Sequence, residues 1–430
     1  MQRVALTLFA ATAMLLGSAA SHAEDLLDIY RFALENDPQL RAAEAANRAV
    51  QETRAQSRSP LLPQINLSAN ITENSGDVYE GTGQGYTLSL NQSLYHHDYY
   101  VQLRQTDANI ARADAEFEAT RQGTLLRAAE AYFDLLAAQD NLTTAEASKR
   151  AISQQLRQTE QRFEVGLSAI TDVHEAQAGY DAAVAAEIGA QNQLDVAREN
   201  LRAIIGQEPM ALATLQEEIP LLTPEPADID QWVNMAQQQN LALLAAESAS
   251  RVAAEEMNRR QAGHYPTLDL VANHNYSDTT DYESGGSETD TNQIGLQLNV
   301  PIYSGGLTTA QTREARELYS QAMENLELQR RTTIRDTRSA YLAVTTGISQ
   351  VKARRQALSS AQTALEATQA GFEVGTRTAV DVLNAQQVRF QAQSEYYRAR
   401  YDYILASLQL RQAAGSLSET DLAEVNNWLK

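Results

Sequence analysis

The chain has 430 residues, 55 of them acidic and 34 basic, which gives a formal net charge of −21. Nucleic-acid binding requires a basic surface, so this charge argues against that function, whereas in a pore it would favour cations. No cysteine is present, which excludes disulfides and thiolate metal sites.

The N-terminus has the features of a secretory signal peptide over residues 1–23. Arg3 supplies a positive start, residues 4–16 form an apolar run, and Ser21 and Ala23 form a small-x-small cleavage site before Glu24. The apolar run is too short to span a bilayer. We therefore expect an exported mature chain from Glu24, the alternative being a buried N-terminal helix. Because no cysteine follows, a lipid-modified N-terminus is excluded.

Residues 25–58 are rich in Ala, Gln, Glu and Arg, which predicts a helix that ends at the prolines Pro60 and Pro63. Residues 228–262 have the same composition and end before Pro266. Each of these helices leads into a segment in which apolar and polar residues alternate.

The alternating segments predict two strands of about ten residues in each half of the chain. Their apolar positions are Ile65, Leu67, Ala69, Ile71, Tyr86, Leu88 and Leu90, and then Leu268, Leu270, Ala272, Ile294, Leu296 and Leu298. The segments between the strands, 74–85 and 278–291, are rich in Gly, Ser and acidic residues and are predicted loops. Tyrosines near both strand ends favour a membrane barrel over a half-buried soluble sheet: Tyr95, Tyr99, Tyr100 and Tyr303 at one end, Tyr79, Tyr86, Tyr276 and Tyr282 at the other.

No segment after the signal peptide has 18 consecutive apolar residues, so a membrane-spanning helix is not predicted. Four strands cannot close a barrel, since about eight is the smallest number that closes in the outer membrane. We therefore expect oligomerisation, and a trimer would supply twelve strands.

Two very long helices are predicted over residues 101–163 and 308–371, which contain no proline. At about 1.5 Å per residue each would be about 95 Å long, which implies a tubular or fibrous shape. In the second helix, three-four spacing predicts a coiled-coil seam with one charged interruption, formed by Tyr341, Val344, Ile348, Val351, Arg355, Leu358 and Leu365.

The second half of the chain repeats the first. The segment 162–166, Arg-Phe-Glu-Val-Gly, returns 209 residues later as Gly-Phe-Glu-Val-Gly at 371–375, and further upstream the offset is 203. We predict two structural repeats, 24–206 and 228–415. Between them lies a proline-containing linker, 207–227, that cannot be one regular helix, and a segment 416–430 follows the second repeat.

Together these features resemble the TolC family of outer-membrane efflux proteins. The most specific pieces are the duplication, the segments 59–64 and 300–306 at the sheet boundaries, and the two turns after the long helices. These turns, which contain residues 165–167 and 374–377, are called the first tip and the second tip. The resemblance implies a mixed α and membrane-β fold: a trimeric 12-stranded β-barrel, four strands per chain, continuing into a long periplasmic α-helical barrel. Residues 416–430 would be a C-terminal periplasmic segment.

The family resemblance also implies a function. The homotrimer would be a passive exit duct in the outer membrane of a Gram-negative bacterium, exporting drugs, small molecules or proteins for a tripartite efflux pump or a type I secretion system. Its partners would be outer-membrane lipid, a periplasmic membrane-fusion adaptor, and an inner-membrane transporter of the RND, ABC or MFS class. The cargo and the particular transporter are not encoded in recognisable motifs, and no cofactor is implied.

Two groups of site residues follow from the resemblance. The adaptor would contact tip residues, namely Val165, Gly166, Leu167, Val374, Gly375 and Thr376. The gate at the periplasmic entrance would comprise Thr171, Asp172, Phe372, Arg377, Asp381 and Asn384, with Arg377 bonding toward the Thr171–Asp172 pair. Asp381 would belong to a weak cation-binding ring.

This sequence departs from the family pattern at two gate positions. The second ring position is Asn384, so each chain brings one carboxylate rather than two. The position where close relatives have a tyrosine hydroxyl is Phe372, which cannot form that link. We therefore expect a gate with fewer polar links and weaker cation block.

The sequence disfavours two other classes of protein. An enzyme is disfavoured because no phosphate loop or nucleophile elbow is present, and because His96, His97 and Asp98, read as strand residues, would point to opposite faces. A periplasmic coiled-coil adaptor or structural protein would have long hairpins but would not need two amphipathic strand pairs with tyrosines at their ends.

Overall fold

The computed structural model describes residues 23–76, 80–281 and 285–430. The predicted signal peptide therefore lies almost wholly outside the described residues. The first half of the chain forms α1 (Leu26–Asn36), α2 (Pro38–Arg58), β1 (Gln64–Asn74), β2 (Gly81–Tyr95), α3 (His97–Glu164) and α4 (Ile170–Ile205). The second half repeats this order as α5 (Ile229–Gln239), α6 (Leu241–Ala262), β3 (Thr267–Asp281), β4 (Gly285–Asn299), α7 (Leu307–Glu373) and α8 (Ala379–Ala413), followed by α9 (Glu419–Asn426).

The prediction of one helix over residues 25–58 is wrong, because α1 and α2 are separated at Asp37. The backbone of Asp37 is extended, with ψ 114°, as expected for a residue that precedes a proline, and its carboxylate caps α2 by accepting from the Gln39 N–H at 3.0 Å. The repeat has the same break between α5 and α6, where the Asn240 side chain accepts from the Leu243 N–H at 3.0 Å.

The four strands form one antiparallel sheet in the order β1-β2-β3-β4, so β1 and β4 are its edges. The strands are longer than the predicted ten residues: β1 has 11, and β2, β3 and β4 have 15 each. Most residues of the two predicted loops therefore lie in strands. Backbone ladder bonds do not depend on side chains, so polar, glycine-rich residues such as Gly81–Gly85 continue the pairing beyond the apolar segment.

The long helices are slightly longer than predicted, and α3, with 68 residues, has a length of about 100 Å. Helix α3 packs against α4, and α7 against α8, so each half of the chain ends in a helical hairpin. Of the predicted seam on α7, Val344, Ile348, Val351 and Leu365 are buried. Arg355 is exposed and its guanidinium bonds the Glu218 carboxylate at 2.6 Å.

The main hydrophobic core lies where the linker, α1 and the C-terminal segment pack against the middle of the long helices. Glu24 pairs with Leu212, and Leu215 pairs with Leu429. The buried Tyr132 hydroxyl of α3 donates to the Ala213 carbonyl at 2.6 Å, and burial raises the pKa of this tyrosine. The linker is thus fixed to the helices rather than free.

The predicted tyrosine groups are only partly at the strand ends. Tyr86 and Tyr276 are cross-strand partners with ring centroids 5.4 Å apart. They lie several residues inside the end of the sheet where Gly81 pairs with Asp281. Tyr95 ends β2 and Tyr99 lies in the first turn of α3. Tyr79 and Tyr282 lie outside the described residues.

Candidate gate at the hairpin tips

The two tips have the same backbone structure. After α3, the Gly166 N–H donates to the Phe163 carbonyl at 2.9 Å and the Leu167 N–H donates to the Arg162 carbonyl at 2.8 Å. Gly166 has φ 77°, a left-handed conformation that glycine adopts without a steric cost. This hydrogen-bond pair is the Schellman motif that ends many helices.

The same motif ends α7. The Gly375 N–H donates to the Phe372 carbonyl at 3.1 Å and the Thr376 N–H donates to the Gly371 carbonyl at 2.9 Å, with Gly375 at φ 81°. A Cβ at either tip glycine, Gly166 or Gly375, would have no atom within 4 Å, so the backbone conformation alone requires glycine there.

Both predicted gate aspartates cap the helix that follows their tip. Asp172 accepts from the Ser168 hydroxyl at 2.9 Å and from the Ala169 N–H at 3.3 Å, at the start of α4. Asp381 accepts from the Thr378 N–H at 2.9 Å and from the Thr378 hydroxyl at 3.0 Å, at the start of α8. A carboxylate in the first helical turn is also favoured by the helix dipole.

Asp381 is held in its charged form. The bond from the Thr378 N–H lowers the pKa of the Asp381 carboxyl below its ordinary value, and the Thr378 hydroxyl and the Arg377 charge act in the same direction. Asn384 is exposed one helical turn further along α8. The structure therefore places one ionised and one neutral polar side chain on neighbouring turns of the same helix.

Arg377 folds back over the end of α7. A Cβ on Gly371 would lie 2.8 Å from Arg377 Cγ and 3.2 Å from Thr376 Oγ1. Glycine at position 371 thus leaves the space through which the Arg377 side chain passes, while its carbonyl accepts from the Arg377 N–H at 3.2 Å. The sequence predicted a role for Arg377 but gave no sign of this role for Gly371.

Within one chain, Arg377 does not reach its predicted partners. Among the described residues, no hydrogen bond or ion pair joins the exposed Arg377 side chain to Thr171 or Asp172. The single chain therefore brings the gate residues to the same end of the molecule without linking them. A link through Arg377 stays a prediction for the assembled channel.

Phe372 has an arginine partner that the sequence did not predict. The Arg162 guanidinium of α3 lies over the Phe372 ring of α7, with Cζ 4.5 Å from the ring centroid. The repeat could have drawn attention to Arg162, because the equivalent position in the second repeat is a glycine, Gly371.

A cavity of about 670 Å³ lies next to this contact, between α3 on one side and α7 and α8 on the other. Its lining is dominated by glutamines, namely Gln154, Gln155, Gln158, Gln161, Gln369 and Gln386. Gln155 and Gln386 are only 5% and 6% exposed. Among the described residues, Gln155 Nε2 and Gln386 Oε1 have no hydrogen-bond partner.

The tips themselves present apolar side chains to solvent. Val165, Leu167 and Val374 are 69%, 70% and 75% exposed, although all three are aliphatic. Single exposed apolar residues are common, and these three lie together at the ends of the two hairpins.

The histidine pair is not on a strand, contrary to the prediction. β2 ends at Tyr95, His96 precedes α3, and His97 is the first residue of that helix. His96 Nε2 lies 3.1 Å from the Asp269 carboxylate, and its Nδ1 lies 3.6 Å from Asp98. The described part of the chain nevertheless contains no group of three or more His, Cys, Asp or Glu residues placed to hold a metal ion.

The sheet has one apolar and one polar face, and both are exposed in the single chain. On β1 the exposed apolar residues are Ile65, Leu67 and Ile71, and on β4 they are Ile294, Leu296 and Leu298. The register joins the two sets on one face, because Ile65 lies opposite Leu90, Leu90 opposite Ala272, and Ala272 opposite Ile294. None of the described helices is long and apolar enough to cross a membrane.

Comparison with known proteins gives consistent matches. The family model described as "Outer membrane efflux protein" matches residues 29–207 and again 232–416. The outer membrane protein TolC of Vibrio cholerae is 43% identical over 430 residues, covering 99% of this chain and 98% of that protein. The alkaline protease secretion protein AprF of Pseudomonas aeruginosa is 33% identical, covering 98% of this chain and 90% of that protein.

A solved structure shares the fold. The outer membrane protein VceC of Vibrio cholerae superposes with a TM-score of 0.77 at 22% identity, covering 91% of this chain and 96% of that one. At this identity the match shows the architecture alone.

Proposed function

The chain belongs to the outer membrane efflux protein family, and we propose that three copies form the exit duct of a tripartite efflux pump or a type I secretion system. It is an outer-membrane protein, and the relatives at 30% identity or more over nearly its full length are channel and secretion components rather than enzymes. The cargo would pass passively from the periplasmic entrance at the tips to the exterior.

The main support for this proposal is an apolar band, formed by the apolar residues of the strands, that runs obliquely across the sheet. The apolar residues of β1 are centred on Ser68, which lies opposite Thr87, Asn275 and Thr291 in the other strands. On β4 the apolar residues are centred on Leu296, five residues from Thr291. Since a membrane is flat, such a displacement between neighbouring strands is expected when the strands cross it at a tilt.

The size of the displacement agrees with membrane strands. Five residues at about 3.3 Å each, over three strand spacings of about 4.8 Å, correspond to a tilt of about 50°. Strands in outer-membrane barrels are tilted by about 35–45°. A half-buried soluble sheet would have no reason for an exposed band with this slope.

The two sheet edges support a trimer. β1 and β4 have neighbours on one side only, and an unpaired strand edge is not tolerated in lipid. Pairing β4 of one copy with β1 of the next satisfies both edges, and three copies give the twelve strands of a closed barrel. The same arrangement would set the helical hairpins side by side in a tube.

In this assembly the gate would be made between copies as well as within them. Arg377 would bond Thr171 and Asp172 of a neighbouring copy, and one Asp381 per chain would form a weak cation ring at the entrance. The exposed Val165, Leu167 and Val374 would contact the hairpin of a periplasmic adaptor. An inner-membrane transporter of the RND, ABC or MFS class would supply the energy.

A matched pair of substitutions on β4 tests the membrane assignment. Leu296 lies on the apolar face and Gln297, its neighbour, on the polar face. Leu296→Arg is expected to destabilise the inserted channel by about 2–4 kcal/mol, whereas an inward-facing charge is tolerated. Gln297→Arg should therefore leave the yield of channel unchanged and alter only its ion selectivity.

The measurement is the yield of oligomer extracted from outer membranes, together with conductance in planar bilayers. The full chain should migrate at about three times the mass of one copy. Equal tolerance of both substitutions, or recovery of a soluble monomer, would contradict the proposal.

A further inference from the structure

The contact between Arg162 and Phe372 joins the two helical hairpins directly at the tips. Arg162 belongs to the last turn of α3, and Phe372 to the last turn of α7. Their separation of 4.5 Å, from guanidinium Cζ to ring centroid, is within the range of a cation–π attraction. Both side chains are half-buried, so the contact is partly protected from water.

Behind this contact, the two hairpins border a polar cavity. The adjacent cavity of about 670 Å³ is lined by residues of α3, α7 and α8. Gln155 and Gln386 line it with amide atoms that have no partner among the described residues. A cavity of this size and polarity has room for water, which would satisfy such amides.

The repeat explains why the described residues make this contact in one direction only. Position 162 of the first repeat carries an arginine, while the equivalent position 371 is a glycine that leaves space for the Arg377 side chain. The equivalent of Phe372 is Phe163, which is exposed. One arginine therefore reaches from the first hairpin to the second, and the part of the chain that the structure describes contains no reverse contact.

We propose that Arg162 and Phe372 form a latch that holds the inner hairpin, α7–α8, against the outer hairpin, α3–α4, and so keeps the entrance closed. The latch replaces the tyrosine hydroxyl link expected of close relatives by a contact that needs a ring and a permanent cation. It rests on the proposed function as an exit duct. Opening the entrance separates the ring from the guanidinium.

Single-channel recording tests the latch on the full-length channel. Arg162→Gln and Phe372→Leu should each raise the open probability by about two- to tenfold, because a partly desolvated cation–π contact is lost. The double variant should open no further than either single variant, since both remove the same contact. Phe372→Tyr keeps the ring and should stay closed.

The chain offers a matched control. Arg389 stacks on Phe390 with Cζ 4.7 Å from the ring, but both residues belong to α8 and do not join the hairpins. Arg389→Gln and Phe390→Leu should leave the open probability unchanged. Equal effects of the two pairs, or additive effects of Arg162→Gln and Phe372→Leu, would overturn the latch.

A second measurement covers variants that assemble poorly. Because the chain has no cysteine, Arg162→Cys with Phe372→Cys introduces one unique pair. A short bismaleimide spacer across the pair should lock the channel closed, and the uncrosslinked pair should open more often than wild type. A wild-type chain that forms no channel refutes the proposed function. A channel that forms and is indifferent to the spacer refutes only the latch.

Discussion

The two tips share a backbone conformation and differ in side chains, so the turn itself can be distinguished from the contacts that its side chains make. Both end a long helix with the same pair of hydrogen bonds and a left-handed glycine, Gly166 or Gly375. After that glycine, the first tip continues with Leu167 and Ser168, whereas the second continues with Thr376 and Arg377. Both repeats contain the same turn, and the side chains on it determine which groups it can bind.

The largest expected effect separates Arg377 from its repeat counterpart, Ser168. Arg377→Ala should raise the conductance about tenfold or more, since hydrogen bonds to charged groups contribute about 1.5–3 kcal/mol each. Ser168→Ala removes only the local bond to Asp172 and should change conductance little. Bilayer recordings of the two variants that gave equal conductance would remove the distinction between the tips.

The tip glycines should behave alike. Gly166→Ala and Gly375→Ala are each expected to cost about 1–2 kcal/mol, because a side chain is forced into a left-handed conformation in otherwise open space. Gly123 lies inside α3 with nothing near its Cβ position, so Gly123→Ala should stabilise the chain by up to about 1 kcal/mol. Unfolding midpoints of the three variants check this, and a large difference between the two tips would show that their turns are not equivalent.

Gly371 should affect the gate rather than the fold. An alanine there meets Arg377 Cγ, a flexible part of that side chain, so Gly371→Ala should displace the arginine and partly reproduce the conductance of Arg377→Ala. Stability should be unchanged or slightly higher. Gly189→Ala in α4, where nothing lies within 4 Å of the Cβ position, is the control. Normal conductance of Gly371→Ala would show that the fold-back of Arg377 is unimportant.

The ring position gives a smaller, graded effect. Asp381→Ala should weaken block of the channel by divalent cations, because it removes one carboxylate per chain. Asn384→Asp should strengthen the block, because it adds one on the next turn of α8. Titration of single channels with a divalent cation measures both, and unchanged block in Asp381→Ala would exclude this residue from the ring.

The smallest expected effect is the pH dependence of that block. Bonds from Thr378 lower the pKa of Asp381, so its charge persists as pH falls and is lost only below the ordinary carboxyl value of about 4. The helix-capping stability that Asp381 contributes follows the same course: it is present above the unfolded-state pKa and is lost as pH falls through the folded-state value. Thr378→Pro removes both Thr378 bonds and should remove most of this shift, leaving the contribution of the Arg377 charge, whereas Thr378→Ala keeps the N–H and should retain a larger part of it. Block that disappeared near pH 6 in the wild type would contradict the assignment.

Local features of the sequence predicted much of the fold. Long runs without proline predicted α3 and α7, alternation predicted the four strands, and each tip turn followed from a glycine after a helix. The break at Asp37 was also readable, because a residue before proline avoids helical backbone. The strand lengths could not be predicted, because polar residues extend the hydrogen-bonded ladder without producing a hydrophobic pattern.

The sequence by itself determined the duplication, which follows from comparing its two halves. It also determined the two turns and the residues that stand on them, because a turn depends on neighbours within a few positions along the chain. Only the tertiary structure decided that Arg162 rests on Phe372, that Gly371 makes room for Arg377, and that the apolar band runs obliquely across the sheet. These features depend on strand register and on helices that meet at one end of the molecule. Register and helix packing are set by the sum of many weak contacts along whole elements, and no single motif carries them.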